Sequence, residues 1–225
     1  MTEKEEQKEL HPVLEFLIST RFAGFCGIIG PLIALIGIAA AILVSPWFNW
    51  LTNALSDLGH PWMLGGSNGT PGVNTAAPIF NTGLILAGLF TLVLTFWLIR
   101  HQVFEGSVIG IIAAILLTIA QFFLVAIGVF HEGFGFTHFL VSLGFFTTLL
   151  VAGMIYGVRL MQEKHLRLIG LMAFILALVS ALIWVFYYLN LLPFTGVAIP
   201  EIISAVTAII WVYPLCILLI LQKQM

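Results

Sequence analysis

The chain has 225 residues, of which 61% are hydrophobic and 8% are charged. A soluble domain carries about 25% charged residues, so this composition excludes an ordinary water-soluble domain and indicates a membrane protein. The formal net charge of −2 argues against the basic patch by which proteins bind nucleic acid, and we expect no nucleic-acid partner.

Six stretches are apolar over the roughly 20 residues needed to cross a bilayer. They cover roughly 22–47, 79–99, 108–130, 136–158, 168–189 and 199–221. We therefore predict an all-α fold, a polytopic bundle of six transmembrane helices that form one domain over residues 22–221.

Short tails flank this domain, residues 1–21 and residues 222–225. The polar, acidic start of the first tail does not fit a signal peptide. Its segment 13–18 fits an interfacial helix or a solvated turn equally well.

The eight Lys and Arg residues predict the orientation. All lie in the tails or in the loops after the second and fourth spans: Lys4, Lys8, Arg21, Arg100, Arg159, Lys164, Arg167 and Lys223. The positive-inside rule then places both termini in the cytoplasm. We expect a multi-pass protein of the cell (plasma) membrane.

The predicted outer face is acidic, with Asp57, Glu132 and Glu201 and no Lys or Arg. Its long first loop, residues 48–78, is rich in Gly, Asn, Pro and Ser and reads as irregular structure with turns. Within it, Asn68-Gly69-Thr70 fits the glycosylation pattern, whose use the sequence leaves open.

Five polar residues are expected to gather at the outer ends of the spans. They are Ser56, Asp57, Asn81, His138 and Glu201. Because ionisable residues at membrane depth are costly, such a cluster suggests a ligand site. Asp57, Asn81, His138 and Glu201 are the candidates for ligand binding. Ser56, Asp57 and His138 are the candidates for a nucleophile with its acid or base.

A structural interpretation of the same residues stays open. Asn81, His138 and Glu201 each fall near the predicted first turn of a helix, where Asn caps free N–H groups and an acid complements the helix dipole. Ser56 and Asp57 can likewise form a cap or a turn. Each residue is then explained by its own helix or loop.

The nature of a bound ligand follows from charge. A phosphate site normally recruits Arg or Lys, so the outer face favours a polar head group or a divalent cation, for which Asp57, His138 and Glu201 are the candidate ligands. A zinc site made of Asp57, His60, His131 and His138 matches no zinc spacing. Haem is not expected, because its axial histidines would lie within the spans.

Several segments resemble the uncharacterised domain-of-unknown-function family 998 of archaeal and bacterial six-span membrane proteins. They are Phe22–Pro31, Asn53–Gly59, Ile79–Leu84, Gly128–Phe130, His138 followed by Ser142, and Pro200–Ile202. More distantly, the Ser56-Asp57 signature resembles the DRAM-like and Frag-like six-span proteins, which are linked to lipid handling.

The resemblance implies six spans and carries no established activity. It supports Ser56, Asp57, Asn81, His138 and Glu201 as pattern positions, and it does not support His60 or His131. This weakens the four-ligand zinc hypothesis.

Three functional interpretations remain. The leading one is an outward-facing polar pocket that binds a lipid head group or small molecule, with or without a cation. The second is an intramembrane metal-dependent lipid hydrolase or transferase. The third is a structural or partner-binding protein in which Ser56-Asp57 locks the outer loop. Membrane lipids are the expected partners, and nothing in the sequence indicates an oligomer.

Overall fold

The computed structural model describes residues 19–62 and 72–222. It contains six long helices, α1 (Thr20–Leu43), α2 (Ala76–Phe104), α3 (Val108–Val129), α4 (Phe136–Met161), α5 (Arg167–Tyr188) and α6 (Ala198–Ile220). Each is long and apolar enough to cross a membrane, which confirms the predicted all-α bundle of six spans. Segment 13–18 and the glycosylation pattern at Asn68 lie outside the described residues.

The helices form a closed ring in chain order. Each packs mainly on its chain neighbours, and α6 also packs on α1. Glycines permit this closure, because a Cβ at Gly24 would lie 2.8 Å from the carbonyl oxygen of Cys216 on α6, and one at Gly30 would lie 2.8 Å from that of Ala87 on α2. The glycines of the first family-like segment are therefore positions of close helix contact.

The six helices alternate in direction, so the start of α1 and the end of α6 lie at the same end of the bundle. We call this the basic end, after Arg100, Arg159 and Arg167. The opposite end, with Asp57, Glu132 and Glu201, is the acidic end. That the acidic end faces outward stays a prediction from the positive-inside rule.

At the acidic end, the first part of the loop after α1, up to Trp62, packs on the helices. Its centre is a short 3-10 helix, Leu55–Gly59, which we call the loop turn. The loop before α6 pairs with it: the N–H of Gly196 donates to the carbonyl of Leu51 at 2.9 Å, and that of Ala198 donates to the carbonyl of Asn53 at 3.0 Å. A side chain at position 196 would collide with the backbone of Asn53, so this approach requires glycine.

Candidate functional site

Asp57 holds the loop turn together from within. Its Oδ2 accepts hydrogen bonds from Nδ2 of Asn53 at 2.7 Å and from the backbone N–H of Ala54 at 3.1 Å. Burial raises the pKa of Asp57 despite these two bonds, which favour the ionised form. This is the geometry of a cap, and Asp57 does not line either of the two cavities described below.

Two asparagines fasten the loop turn to α2. Nδ2 of Asn74 donates to the carbonyl of Leu58 at 3.1 Å, and Nδ2 of Asn81 donates to the carbonyl of Gly59 at 2.9 Å. The expectation that Asn81 caps its helix is wrong, because α2 already begins at Ala76. Nothing in the sequence marks Asn74 as a contact residue except its position just before an apolar run.

Glu201 fastens the loop turn to α6. It is only 8% exposed, and its Oε2 accepts the backbone N–H of Leu55 at 2.6 Å. Its second oxygen, Oε1, makes no hydrogen bond to any residue in the described part of the chain. The neighbouring Ser56 is also buried. Two of the predicted site residues, Ser56 and Glu201, are thus brought together from distant parts of the chain.

His138 forms the second half of the cluster. Its Nε2 lies 2.9 Å from Oε2 of Glu132 and 3.2 Å from the hydroxyl of Ser142, one turn further along α4. Its Nδ1 lies 2.8 Å from the carbonyl oxygen of Phe130 at the end of α3. The hydroxyl of Ser56 also favours the ionised form of Glu132 and thereby lowers its pKa.

The contacts of His138 define its protonation. A carbonyl oxygen only accepts hydrogen bonds, so Nδ1 must carry a proton to bind Phe130. An ionised carboxylate also only accepts, so Nε2 must carry a proton to bind Glu132. The ring is therefore an imidazolium paired with Glu132. This hydrogen bond holds the pKa of Glu132 below its ordinary value.

The turn before α4 makes the Glu132–His138 pair possible. Residues Glu132–Phe134 form one turn of 3-10 helix, and Gly135 follows with a φ of 54°. This left-handed conformation suits glycine and folds Glu132 back over the start of α4. His131 and His138 consequently do not share a helix.

Two cavities meet at this cluster. The lateral cavity, of about 390 Å³, lies between α4, α5 and the start of α6. The central cavity, of about 150 Å³, lies inside the ring of helices and is lined almost entirely by apolar side chains. Four residues line both cavities: Ser56, Ser142, Phe146 and Glu201. The polar cluster therefore stands at the junction between them.

The lateral cavity opens toward the outside of the bundle. Its walls include Leu143 and Val151 of α4 and Tyr188 of α5, which are 45%, 41% and 60% exposed. Nearer the basic end these helices touch, because a Cβ at Gly157 would lie 2.8 Å from the carbonyl oxygen of Gly170. The two helices thus leave an apolar opening beside buried polar groups at the acidic end.

The candidate zinc ligands His60 and His131 are engaged in turns. Nδ1 of His60 accepts the N–H of Trp62 at 3.1 Å, and Nδ1 of His131 accepts the N–H of Gly133 at 3.2 Å. Within residues 19–62 and 72–222, no three His, Cys, Asp or Glu side chains come together in a way that could hold a metal ion. The geometry thus offers the four-ligand zinc hypothesis no support.

Comparison with known proteins places the chain in a family. The family model described as "Protein of unknown function (DUF998)" matches residues 28–218, which include all of α2 to α5, most of α1 and α6, and every member of the polar cluster. No curated protein and no solved structure matches the chain. Because the match covers most of its length, the chain belongs to the DUF998 family of membrane proteins of unknown function.

Proposed function

We propose that this protein binds the polar head of a membrane lipid or similar amphiphile at the junction of its two cavities. The observation that carries the proposal is the lateral cavity, which opens toward the outside of the bundle and ends at Ser56, Glu132, His138, Ser142 and Glu201. Ligand sites combine an apolar lining with a few converging polar groups in just this way. The apolar part of the ligand lies against α4 and α5, and its head meets the polar cluster.

Burial of these polar groups supports a ligand role. His138 and Glu201 are 5% and 8% exposed, and ionisable groups so deep in a membrane bundle are costly unless they are paired. His138 is paired with Glu132, whereas Oε1 of Glu201 has no partner in the described part of the chain. A bound head group would supply that partner.

An intramembrane hydrolase or transferase is less well supported. A serine nucleophile needs a neighbouring base that can accept its proton. Nε2 of His138 faces Ser142 at 3.2 Å, but it is already protonated toward Glu132 at 2.9 Å. In this arrangement Ser142 has no base, and we assign the cluster to binding.

The interpretation that the polar residues only hold the outer loop in place fits two of them. Asp57 and Asn81 bind only the loop turn itself or its neighbours, and we assign them to locking this loop over the bundle. Their role in the proposal is indirect, because the lock positions Ser56 and the N–H of Leu55 at the junction. We further propose that the protein resides in the plasma membrane with the acidic end outward, which the distribution of Lys and Arg supports.

The test is occupancy of the lateral cavity. Leu150 lines the cavity, so Leu150→Trp should fill it, whereas Leu140 is 48% exposed on the same helix without lining it, and Leu140→Trp serves as the matched control. We expect native mass spectrometry of protein released from mild detergent to show a co-purifying amphiphile on the wild type and on Leu140→Trp. Leu150→Trp should lose it. An empty wild type, or equal occupancy in both variants, would refute the proposal.

A further inference from the structure

The acidic end lacks the Lys and Arg residues that would offset its acidic side chains. Its carboxylates are Asp57, Glu132 and Glu201, and every Lys and Arg in the described part of the chain lies toward the basic end. The imidazolium of His138 pairs with Glu132 alone at 2.9 Å. Glu201 therefore forms no ion pair of its own among the described residues, and His138 acts on it only at longer range.

The contacts of Glu201 orient its side chain toward the cavities. Oε2 is held by the N–H of Leu55, and the residue lines both the lateral and the central cavity. The buried side chain thus presents an unpartnered carboxylate oxygen to empty space. A buried carboxylate that stays ionised is costly unless a cation or a hydrogen-bond donor meets its free oxygen.

Aromatic rings stand in the same cavity as Glu201. Trp184 and Tyr188 both line the lateral cavity, and their rings are stacked with centroids 6.0 Å apart. Trp184 is fixed beside the first turns of α6, because its Nε1 donates to the hydroxyl of Ser204 at 3.0 Å. A carboxylate together with aromatic faces is the combination by which proteins recognise ammonium groups.

Other ligand classes fit less well. A phosphate or carboxylate head would meet Glu132 and Glu201 with no Lys or Arg to balance it. A bare metal ion lacks a third ligand in the part of the chain that the structure describes. We infer that the lateral cavity takes the ammonium group of an amine-bearing amphiphile, held by Glu201 and flanked by Trp184 and Tyr188. This inference rests on the proposed function.

The experiment compares amphiphiles that share a dodecyl tail and differ in their head group. Protein in dodecyl maltoside is titrated with dodecylamine, dodecyltrimethylammonium, dodecanol and dodecanoate, and binding is read by native mass spectrometry. We expect the two ammonium probes to bind at least about tenfold more tightly than dodecanol. Glu201→Gln keeps an oxygen for the N–H of Leu55, so the variant should fold, and it should lose the preference for ammonium over dodecanol. Tyr188→Leu, at a side chain 60% exposed, should weaken dodecyltrimethylammonium several-fold.

The outcomes separate the two proposals. If dodecanol or dodecanoate binds as tightly as dodecylamine, and Leu150→Trp abolishes all binding, the ammonium inference is overturned while the proposed function stands. If no probe binds, both are overturned. A preference for ammonium that survives in Glu201→Gln also overturns the inference. A competition experiment identifies the source of the ammonium group. If the ligand is an amino-lipid, phosphatidylethanolamine displaces dodecylamine and phosphatidylglycerol does not. If the ligand is a free amine, neither lipid displaces dodecylamine.

Discussion

Glu201 and Leu55 lie 146 residues apart and are joined by a 2.6 Å hydrogen bond from the N–H of Leu55 to the carboxylate. This contact ties the loop after α1 to the start of α6 across the mouth of the central cavity, which both residues line. It thereby gives Glu201 two tasks, to anchor the loop turn through one oxygen and to face the cavities with the other.

Removing this acceptor should destabilise the fold. In Glu201→Ala the buried N–H of Leu55 loses its partner, which costs about 1–3 kcal/mol of unfolding free energy. Glu201→Gln retains an acceptor oxygen and should cost less. Thermal unfolding of both variants in the same detergent checks this order. If the two variants were equally stable, the hydrogen bond would not be the anchor.

The cap formed by Asp57 leads to a prediction about the stability of a second pair of variants. Asp57→Ala removes both hydrogen bonds from the loop turn and should cost about 1–2 kcal/mol, whereas Asp57→Asn can keep both on its amide oxygen. Hydrogen exchange at the amides of residues 53–59 is the measurement, and we expect faster exchange in Asp57→Ala alone. Unchanged exchange in that variant would contradict the cap.

The pair formed by Glu132 and His138 predicts a dependence on pH. The hydrogen bond from His138 lowers the pKa of Glu132 from its ordinary 4.5. A carboxyl with a lowered folded pKa stabilises the fold above the unfolded pKa, and this stabilisation is lost as the pH falls through the folded value. We therefore expect the wild type to lose stability below about pH 4.5 more steeply than Glu132→Gln.

Unfolding temperatures measured from neutral to acidic pH test this prediction. The raised pKa of Asp57 is common to both proteins and cancels in their difference. Glu105→Gln changes an exposed carboxyl at the basic end and should follow the wild-type curve. Parallel curves for wild type and Glu132→Gln would show that the ion pair adds no stability.

The six spans could be predicted because their signal is local. Each is a run of apolar residues whose length matches the bilayer, so no tertiary information is needed. The start of α6 at Ala198 is also close to the predicted boundary at residue 199, because Pro and Glu in the first turn are helix-start signals. The same reasoning failed for Asn81, which makes its hydrogen bond across the chain to Gly59.

The candidate site was predictable only in part. His138, Ser56 and Glu201 stood out as polar residues in an apolar chain, and the structure brings them to one junction. Glu132 was recognised as an acid of the same face but not as a partner of His138, since the pairing depends on the φ of 54° at Gly135. The contacts that hold Asp57 in the loop turn are instead local, to Asn53 and Ala54, and they match the cap or turn that the sequence left open for this residue.

The pairing of the loop before α6 with the loop after α1 has a consequence for how the protein is made. Synthesis runs from the N-terminus, so the segment around Leu51 and Asn53 emerges long before its partners Gly196 and Ala198. The loop turn cannot reach its final geometry until the last helix has entered the bilayer and closed the ring against α1. A chain truncated before α6 would keep five spans yet present an unfinished junction, so the site is complete only after the last span has been inserted.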